Sequence, residues 1–316
     1  MHTQDYDTLM HALEWCRQGL APWLCTIVKV TGSSPRPVGS MLACLTDGRQ
    51  AGSISGGCVE EDLLDRLHTN AIEAHPPQLI TYGVTPEENV RLGLPCGGSL
   101  QVLVQRLGEL DQSWLAEILA ALDARRCIER HLSLESGDTQ LISVEHFTEL
   151  AIDPNRLRQC LGPRMRMLLV GAGQLAQRVA ELALSMDYEV LVTDTRQGFL
   201  DQWEGPQLPL LQGMPDDIVR TYARDRFCIV ITLTHDPRVD DMALMEALTT
   251  EAWYVGALGS MRTTAARLDR LRQLDLSEAQ IARLHAPVGL DIGSKTPIEI
   301  AVAIMAELTA LRRKPV

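Results

Sequence analysis

The chain of 316 residues is long enough for two domains, each with its own hydrophobic core. Hydrophobic residues make up 46% and charged residues 22%, which excludes wholesale disorder. The 29 basic residues against 41 acidic ones give a net charge of -12 without a basic run, which argues against a nucleic-acid partner.

The first half of the chain, residues 1–152, is predicted to be an α+β domain with glycine-rich turns. Its predicted helices cover 6–20, 60–74 and 113–124, and its predicted strands cover 24–30, 41–45, 50–54, 79–82, 100–105, 128–134 and 140–146. Residues 153–164 contain two prolines and a glycine with little periodicity, so we predict a linker there.

The second half, residues 165–316, alternates predicted strands with predicted helices. The strands cover 167–170, 189–193, 228–232 and 253–255, with helices ending near 186, around 241–249 and towards the C-terminus. This alternation predicts a parallel sheet covered on both faces. The expected fold class is therefore α/β, with an α+β domain followed by a Rossmann-like, doubly wound domain.

The N-terminal residues and the longest apolar stretches indicate where in the cell the protein is expected. Residues 1–7 carry two acids and no basic segment, and no apolar stretch approaches the roughly 20 residues that a membrane span requires. We therefore expect a cytoplasmic protein without a membrane partner.

A dinucleotide-binding fingerprint follows the first predicted strand of the second half. Gly171, Gly173 and Ala176 form a G-x-G-x-x-A turn, which lets a pyrophosphate approach the start of a helix. Asp194 ends the next strand, where a ribose-binding acid is expected, although Arg196 blurs the choice between NAD and NADP. The alternative is a glycine turn in an α/β fold that binds no ligand.

Other polar residues also follow predicted strands of this half. His235 comes after strand 228–232, at the edge where α/β folds bind ligands, so it is a candidate cofactor contact. A loop histidine beside a turn-forming Asp-Pro pair is an equally good interpretation. Arg262 and Arg267 follow the turn at 256–260 and belong either to a second anion site or to a solvated helix face.

Two of the eight cysteines lie in open glycine turns, Gly56-Gly57-Cys58 and Cys96-Gly97-Gly98. Cys58 precedes a predicted helix, where N–H groups and the helix dipole favour a thiolate, while Glu60 nearby opposes it. A thiolate pair suits a soft centre such as molybdenum or a persulfide sulfur. The alternative is that the glycines serve turns and the two cysteines are incidental. The other six cysteines form no C-x-x-C pair and are expected to be buried small hydrophobes.

Taken in chain order, these segments resemble the XdhC/CoxI family, the accessory proteins of xanthine dehydrogenase-type molybdenum enzymes. The matching stretches are TGSSPRP at 31–37, GSISGGCVE at 52–60, PCGG at 95–98, VGAGQLA at 170–176, TDTR at 193–196, THD at 234–236, YVGALGS at 254–260 and APVGLDIGSKTPIE at 286–299. They extend over nearly the whole chain.

The resemblance implies a chaperone and not an enzyme. Such a protein binds the molybdenum cofactor (molybdopterin or molybdopterin cytosine dinucleotide), protects it, supports its sulfuration with a cysteine desulfurase, and inserts it into an apo-molybdoenzyme. Carried over by position, Cys58 and Cys96 contact the cofactor or its metal, and Gly171, Gly173 and Asp194 belong to the nucleotide fold. The resemblance and the apolar C-terminal helix also imply a homodimer.

The residues alone leave two other functions open. The glycine turn and Asp194 are compatible with an NAD(P)-dependent oxidoreductase. Cys58 is compatible with a sulfurtransferase that carries a persulfide.

Overall fold

The computed structural model describes residues 3–32, 34, 36–92 and 98–312, and the chain divides into two compact units between Pro163 and Arg164. Each unit has hydrophobic cores of its own. None of the described helices is both long enough and apolar enough to cross a lipid bilayer.

The N-terminal unit is built on an antiparallel sheet of five described strands in the order β3-β2-β1-β5-β4. These strands are β1 (Trp23–Thr31), β2 (Met41–Cys44), β3 (Gln50–Gly52), β4 (Gln78–Tyr82) and β5 (Ser99–Arg106). β1 lies in the centre and is buried along most of its length, because both faces of the sheet are covered.

The helices of this unit are α1 (Thr3–Arg17), α2 (Cys58–His68), α3 (Pro86–Arg91) and α4 (Gln112–Asp123). Leu24 of β1 packs in one core with α1 and α4, whereas Cys25 and Ile27 pack in another core with α2. The period-two alternation of strand side chains therefore divides β1 between the two cores.

A second antiparallel sheet follows, with the order β7-β6-β9-β8. Its strands are β6 (Cys127–Ser133), β7 (Thr139–Val144), β8 (Ala151–Ile152) and β9 (Arg156–Leu161). β9 lies inside segment 153–164, so the prediction of a linker is wrong for those residues. Leu157 and Leu161 are buried where β9 pairs with β6, and the flanking prolines hid this short alternation in the sequence.

The C-terminal unit has a parallel sheet of six described strands in the order β12-β11-β10-β13-β14-β15. These are β10 (Arg166–Val170), β11 (Glu189–Asp194), β12 (Leu210–Gln212), β13 (Cys228–Thr232), β14 (Tyr254–Ala257) and β15 (Leu284–His285). The strand order reverses between β10 and β13, which confirms the predicted Rossmann-like, doubly wound fold.

Helices cover both faces of this parallel sheet. They are α5 (Gln174–Ser185), α6 (Gln197–Asp201), α7 (Pro215–Tyr222), α8 (Pro237–Ala247), α9 (Met261–Gln273), α10 (Glu278–Ile281) and α11 (Pro297–Arg312). Ala301, Ile304 and Leu308 of α11 are buried in a core that also contains α5. Much of the apolar surface of α11 thus serves the core of its own unit, and a homodimer remains a prediction.

Candidate functional site

Described glycines from separate segments of the N-terminal unit lie at one edge of the five-stranded sheet. Because neighbouring strands are antiparallel, β1 and β3 end at this edge, and β5 begins there. Gly32, Ser53 and Gly98, which adjoin the ends of these strands, therefore lie at the same edge. Gly32 and Gly98 pack together, since a Cβ on Gly32 would lie 3.1 Å from the Cα of Gly98.

Cys58 is the first residue of α2, and its side chain is exposed. Gly56 has a φ of +92°, which favours glycine, and no atom lies within 4 Å of a Cβ built on Gly56 or Gly57. The chain just before Cys58 therefore leaves open space, as a bulky ligand of the thiol would need.

The remaining cysteines differ from Cys58 or lie outside the described residues. As expected, six cysteines are buried: Cys16, Cys25, Cys44, Cys127, Cys160 and Cys228. Cys96 and Gly97 lie outside the described residues, so the predicted pairing of Cys58 with Cys96 stays a prediction. Within the residues that the structure describes, no three His, Cys, Asp or Glu side chains form a group able to hold a metal ion.

The loop at residues 53–57, immediately before Cys58, is folded around the carboxylate of Glu60. Glu60 Oε1 accepts hydrogen bonds at 2.7 to 3.0 Å from the Ser53 hydroxyl and from the backbone N–H groups of Ile54, Ser55 and Gly56. Glu60 Oε2 accepts a hydrogen bond from the Gly57 N–H at 3.0 Å and another from the Ser55 hydroxyl. We call this arrangement the Glu60 cradle.

The donors of the Glu60 cradle keep its carboxylate charged. Burial by itself would raise the pKa of Glu60, but hydrogen bonds from Ser55, Gly56 and Ser53 favour the anion and lower the pKa to about 2. In the sequence, Glu60 is recognisable only as a charge close to Cys58. Its place as the third residue of a helix, where a carboxylate can bond back to the chain before the helix, was the available signal.

The pKa of Glu60 leads to a prediction for acid stability. A carboxyl whose pKa is lowered on folding stabilises the protein above its ordinary pKa of 4.5, and this stabilisation is lost as the pH falls towards 2. We expect Glu60→Gln to lower the free energy of unfolding by about 2 kcal/mol at pH 7 and to have almost no effect near pH 2. Urea unfolding of both proteins at several pH values measures this difference. A difference in unfolding free energy that stays constant between pH 7 and pH 2 would contradict the lowered pKa of Glu60.

The second candidate site lies at the carboxyl edge of the parallel sheet, where β10 leads into α5. Gly171 has a φ of +109°, and a Cβ there would lie 2.9 Å from Thr234 Cγ2 and 3.2 Å from the Thr234 backbone nitrogen. Gly173 precedes α5 as its N-cap and has nothing within 4 Å of its Cβ position. Ala176 of α5 is fully buried in the core of this unit. The turn therefore leaves space for a phosphate at the start of α5.

The two glycines of this turn give a matched pair of variants. Gly171→Ala is expected to destabilise the protein by about 2 kcal/mol, because it combines a positive φ with a backbone contact. Gly173→Ala should change stability by less than about 0.5 kcal/mol, since its φ is -83° and its surroundings are open. Thermal unfolding checks both values. Equal losses in the two variants would contradict this interpretation of the turn.

Asp194 lies at the end of β11 as predicted, but its carboxylate is bonded within the protein. It accepts hydrogen bonds from the Ala172 N–H at 2.9 Å and from the Arg196 backbone and guanidinium at 2.9 to 3.0 Å. Burial opposes the charged form, but these donors lower the pKa of Asp194. A ribose hydroxyl would have to compete with these donors. The geometry therefore favours a structural role in which Asp194 stabilises the glycine turn. Its ribose contact remains a prediction.

His235 and Arg267 have very different surroundings. His235 is exposed in the loop after β13, and the preceding Thr234 touches the turn at Gly171. Arg267 is only 2% exposed, and it donates hydrogen bonds to Asp240 at 2.9 Å and to the Leu258 carbonyl at 3.0 Å. The predicted anion site and its solvated alternative are therefore both wrong for Arg267, which lies in α9 and instead ties this helix to Asp240 of α8 and to the loop after β14.

Comparison with protein families decides which family the chain is part of. The XdhC Rossmann domain model matches residues 167–308, and the model of the XdhC and CoxI family matches residues 15–83. The chain belongs to the XdhC and CoxI family. The predicted resemblance is thereby confirmed, and the two matches fall in the two structural units.

Individual relatives match the chain over almost its full length. A probable xanthine dehydrogenase subunit of Bacillus subtilis is 25% identical, covering 92% of this chain and 93% of the relative. The molybdenum cofactor insertion chaperone PaoD of Escherichia coli is 26% identical, covering 98% of this chain and 90% of the relative. A crystal structure described as a xanthine dehydrogenase from Bacillus halodurans superposes with a TM-score of 0.76, at 26% identity and 97% coverage of each chain.

Proposed function

We propose that this protein is a chaperone that binds the molybdenum cofactor, protects it and inserts it into an apo-enzyme of the xanthine dehydrogenase or aldehyde oxidoreductase type. The observation that carries the proposal is the exposed thiol of Cys58, held at the start of α2 next to open space. The full-length similarity to a protein named as a cofactor insertion chaperone supports it.

The chemistry of Cys58 suits this cargo. Molybdenum and its terminal sulfur are soft, and a thiolate is the soft donor that protein side chains offer. The neighbouring Gly56 and Gly57 leave space that a bulky pterin needs, because a Cβ at either position would meet no protein atom within 4 Å. The thiol would bind the metal end of the cofactor, and Cys96 would add a second sulfur.

The C-terminal unit would bind a nucleotide through the turn at Gly171 and Gly173. The start of α5 offers backbone N–H groups and the positive end of the helix dipole to a phosphate. The nucleotide would be either the cytosine dinucleotide part of the cofactor or a separate NAD(P). His235 would contribute from the neighbouring loop, since Thr234 packs on Gly171.

The proposed function also includes sulfuration of the cofactor and specific protein partners. The exposed Cys58 is accessible to a cysteine desulfurase, which would supply the terminal sulfur while the chaperone holds the cofactor. A homodimer would be the working form, and its client would be an apo-molybdoenzyme.

The cofactor content of the purified protein tests this function. The protein is expressed in a host that makes molybdenum cofactor, purified without oxygen, and analysed for pterin, CMP and NAD(P). We expect pterin well above the amount in a parallel purification from a host unable to make the cofactor, and CMP would identify the dinucleotide form. NAD(P) without pterin would instead favour the oxidoreductase.

A further inference from the structure

We infer that Cys127 and Cys160 form an oxidisable thiol pair: a hydroperoxide would oxidise the Cys160 sulfur, and the Cys127 sulfur would then close a disulfide bond between β6 and β9. The pair belongs to the second antiparallel sheet and does not involve Cys58. The inference goes beyond the proposed function, because the reaction needs neither the cofactor nor a client protein.

The strand register places the two cysteines on one face of the sheet. Cys160 of β9 lies opposite Glu129 of β6, and Cys127 precedes Glu129 by two residues. Because side chains alternate between the faces of a strand, Cys127 and Cys160 are diagonal neighbours on the same face. Their sulfurs are close enough for a hydrogen bond from the Cys127 thiol to Cys160.

This pair is buried without packing in a hydrophobic core. Cys127 and Cys160 are only 4% and 6% exposed, but the side chains of Glu129, His131 and Arg158 share their face of the sheet. The other four buried cysteines all belong to cores of the described residues: Cys16, Cys25, Cys44 and Cys228. Apolar packing therefore does not explain why two thiols meet at this place.

The pair is covered by segment 145–150, which joins β7 to β8 without regular secondary structure. The Cys160 sulfur lies 3.9 Å from the His146 carbonyl oxygen, and the Thr148 hydroxyl donates a hydrogen bond to Glu129 at 2.9 Å. The hydroxyl and the backbone N–H of Thr148 also hydrogen-bond to Cys160. A short loop thus covers this pair, whereas the other buried thiols lie inside packed cores.

The hydrogen bonds at Cys160 favour its thiolate. The bond from the Cys127 thiol has the largest effect, and with those from Thr148 it lowers the pKa of Cys160, although burial and the charge of Glu129 oppose this shift. The hydrogen bond with Cys44 and burial instead raise the pKa of Cys25 well above its ordinary value. Since the thiolate is the nucleophile in thiol oxidation, Cys160 is the reactive sulfur.

The reaction proceeds in two steps. The Cys160 thiolate attacks one oxygen of hydrogen peroxide, which breaks the O–O bond, forms a sulfenic acid and releases hydroxide. The Cys127 thiol then attacks the Cys160 sulfur, the S–S bond forms, and the sulfenic hydroxyl leaves with the thiol proton as water. In total the two thiols lose two electrons and two protons, and one peroxide becomes two water molecules.

The position of Cys127 allows the two sulfurs to approach. Diagonal neighbours on paired strands are about 7 to 8 Å apart, whereas a disulfide joins Cα atoms at most about 6.8 Å apart, so the start of β6 must shift slightly towards β9. The pairing of β6 with β9 begins at Ile128 and Leu161. Cys127 lies just beyond this pairing, so the shift leaves the register of the two strands unchanged.

The test treats the reduced full-length protein with hydrogen peroxide and compares two cysteine pairs in the same molecule. Cys25 and Cys44 are also diagonal neighbours, on β1 and β2, but both lie in a core. The remaining thiols are blocked in denaturant, and mass spectrometry identifies linked peptides, since trypsin releases Cys127 and Cys160 on separate peptides covering 127–130 and 159–164.

We expect the disulfide between Cys127 and Cys160 to form about tenfold faster than the one between Cys25 and Cys44, or faster still. Similar rates for the two pairs would overturn the inference. The absence of a link between Cys127 and Cys160 would overturn it as well. The outcome does not depend on whether the protein carries pterin, so it is separate from the test of the proposed function.

Three variants identify the role of each group. Cys127→Ser should stop the reaction at the sulfenic acid of Cys160, which dimedone labels, whereas Cys160→Ser should leave Cys127 unlabelled. The reverse labelling pattern would overturn the assignment. Thr148→Val keeps both thiols, removes one donor to Cys160 and should slow disulfide formation about threefold, which also serves if a serine variant fails to fold. An unchanged rate in Thr148→Val would contradict the role of these hydrogen bonds.

Discussion

Replacing Cys58 by alanine is expected to lower the pterin content of the purified protein about tenfold or more, which corresponds to a loss of about 1.4 kcal/mol or more in binding free energy. The physical reason is that the variant removes the soft sulfur donor at the edge of the five-stranded sheet and leaves the surrounding glycines unchanged. Because the side chain of Cys58 is exposed, the free energy of unfolding should change by less than about 0.5 kcal/mol. Pterin fluorescence after oxidative release, together with thermal unfolding, measures both quantities.

Cys16→Ala is the matched control for the loss of a thiol. Cys16 lies in α1 and is buried in a core of the N-terminal unit, and burial, aided by the charge of Asp111, raises its pKa to about 11. It is therefore a protonated core side chain that cannot contact a cofactor, and its replacement should leave the pterin content unchanged. A Cys58→Ala protein that retains as much pterin as Cys16→Ala would show that Cys58 does not hold the cargo.

The largest loss of stability is expected from Arg267→Met, at about 3 to 5 kcal/mol. Arg267 and Asp240 form a 2.9 Å ion pair in which each side chain is only 2% exposed. Removing the guanidinium leaves the Asp240 carboxylate buried without its cation, although Thr234 still donates a hydrogen bond to it at 2.7 Å. Native-state hydrogen exchange of peptides from the C-terminal unit, followed by mass spectrometry, measures the loss within that unit.

Two further variants separate the effect of burial from the effect of charge on this loss of stability. Asp240→Asn combined with Arg267→Met removes both charges, so the double variant should be more stable than Arg267→Met alone. Arg238→Ala breaks an exposed ion pair with Asp236 and should cost less than about 0.5 kcal/mol. If Arg267→Met costs no more than Arg238→Ala, the buried pair does not hold α8 and α9 together.

The fold class followed from the sequence because the long elements repeat their pattern several times. The strand at β10, the helix at α5 and the strand at β13 were predicted nearly to their ends, since full burial of a parallel strand gives a continuous apolar run. Short elements were missed, including β9, β12, α6 and α7. Each has at most eight residues, so its pattern is weak, and its stability comes from pairing or packing with distant segments.

The sequence predicted which residues belong to the candidate sites, but it did not predict the hydrogen bonds that these residues make. Glycine turns before a helix are visible as letters, so Cys58, Gly171 and Gly173 were identified directly. The hydrogen bonds to Glu60 and to Asp194 were not visible, because the donors depend on how the backbone turns in three dimensions. Asp194 shows the difference, since its expected position is right while its carboxylate already binds Ala172 and Arg196.

By itself, the sequence determined the two-part organisation, the α/β class, the family and the glycine turns around Cys58 and Gly171. These properties depend on periodicity, on glycine content and on motifs that are contiguous in the chain. Only the tertiary structure decided that the loop at residues 53–57 closes around the Glu60 carboxylate, that Arg267 is buried, and that strand β9 occupies part of the expected linker. Those outcomes depend on which donors, charges and strand edges meet across the fold, and a carboxylate or guanidinium removed from water must find its partner there.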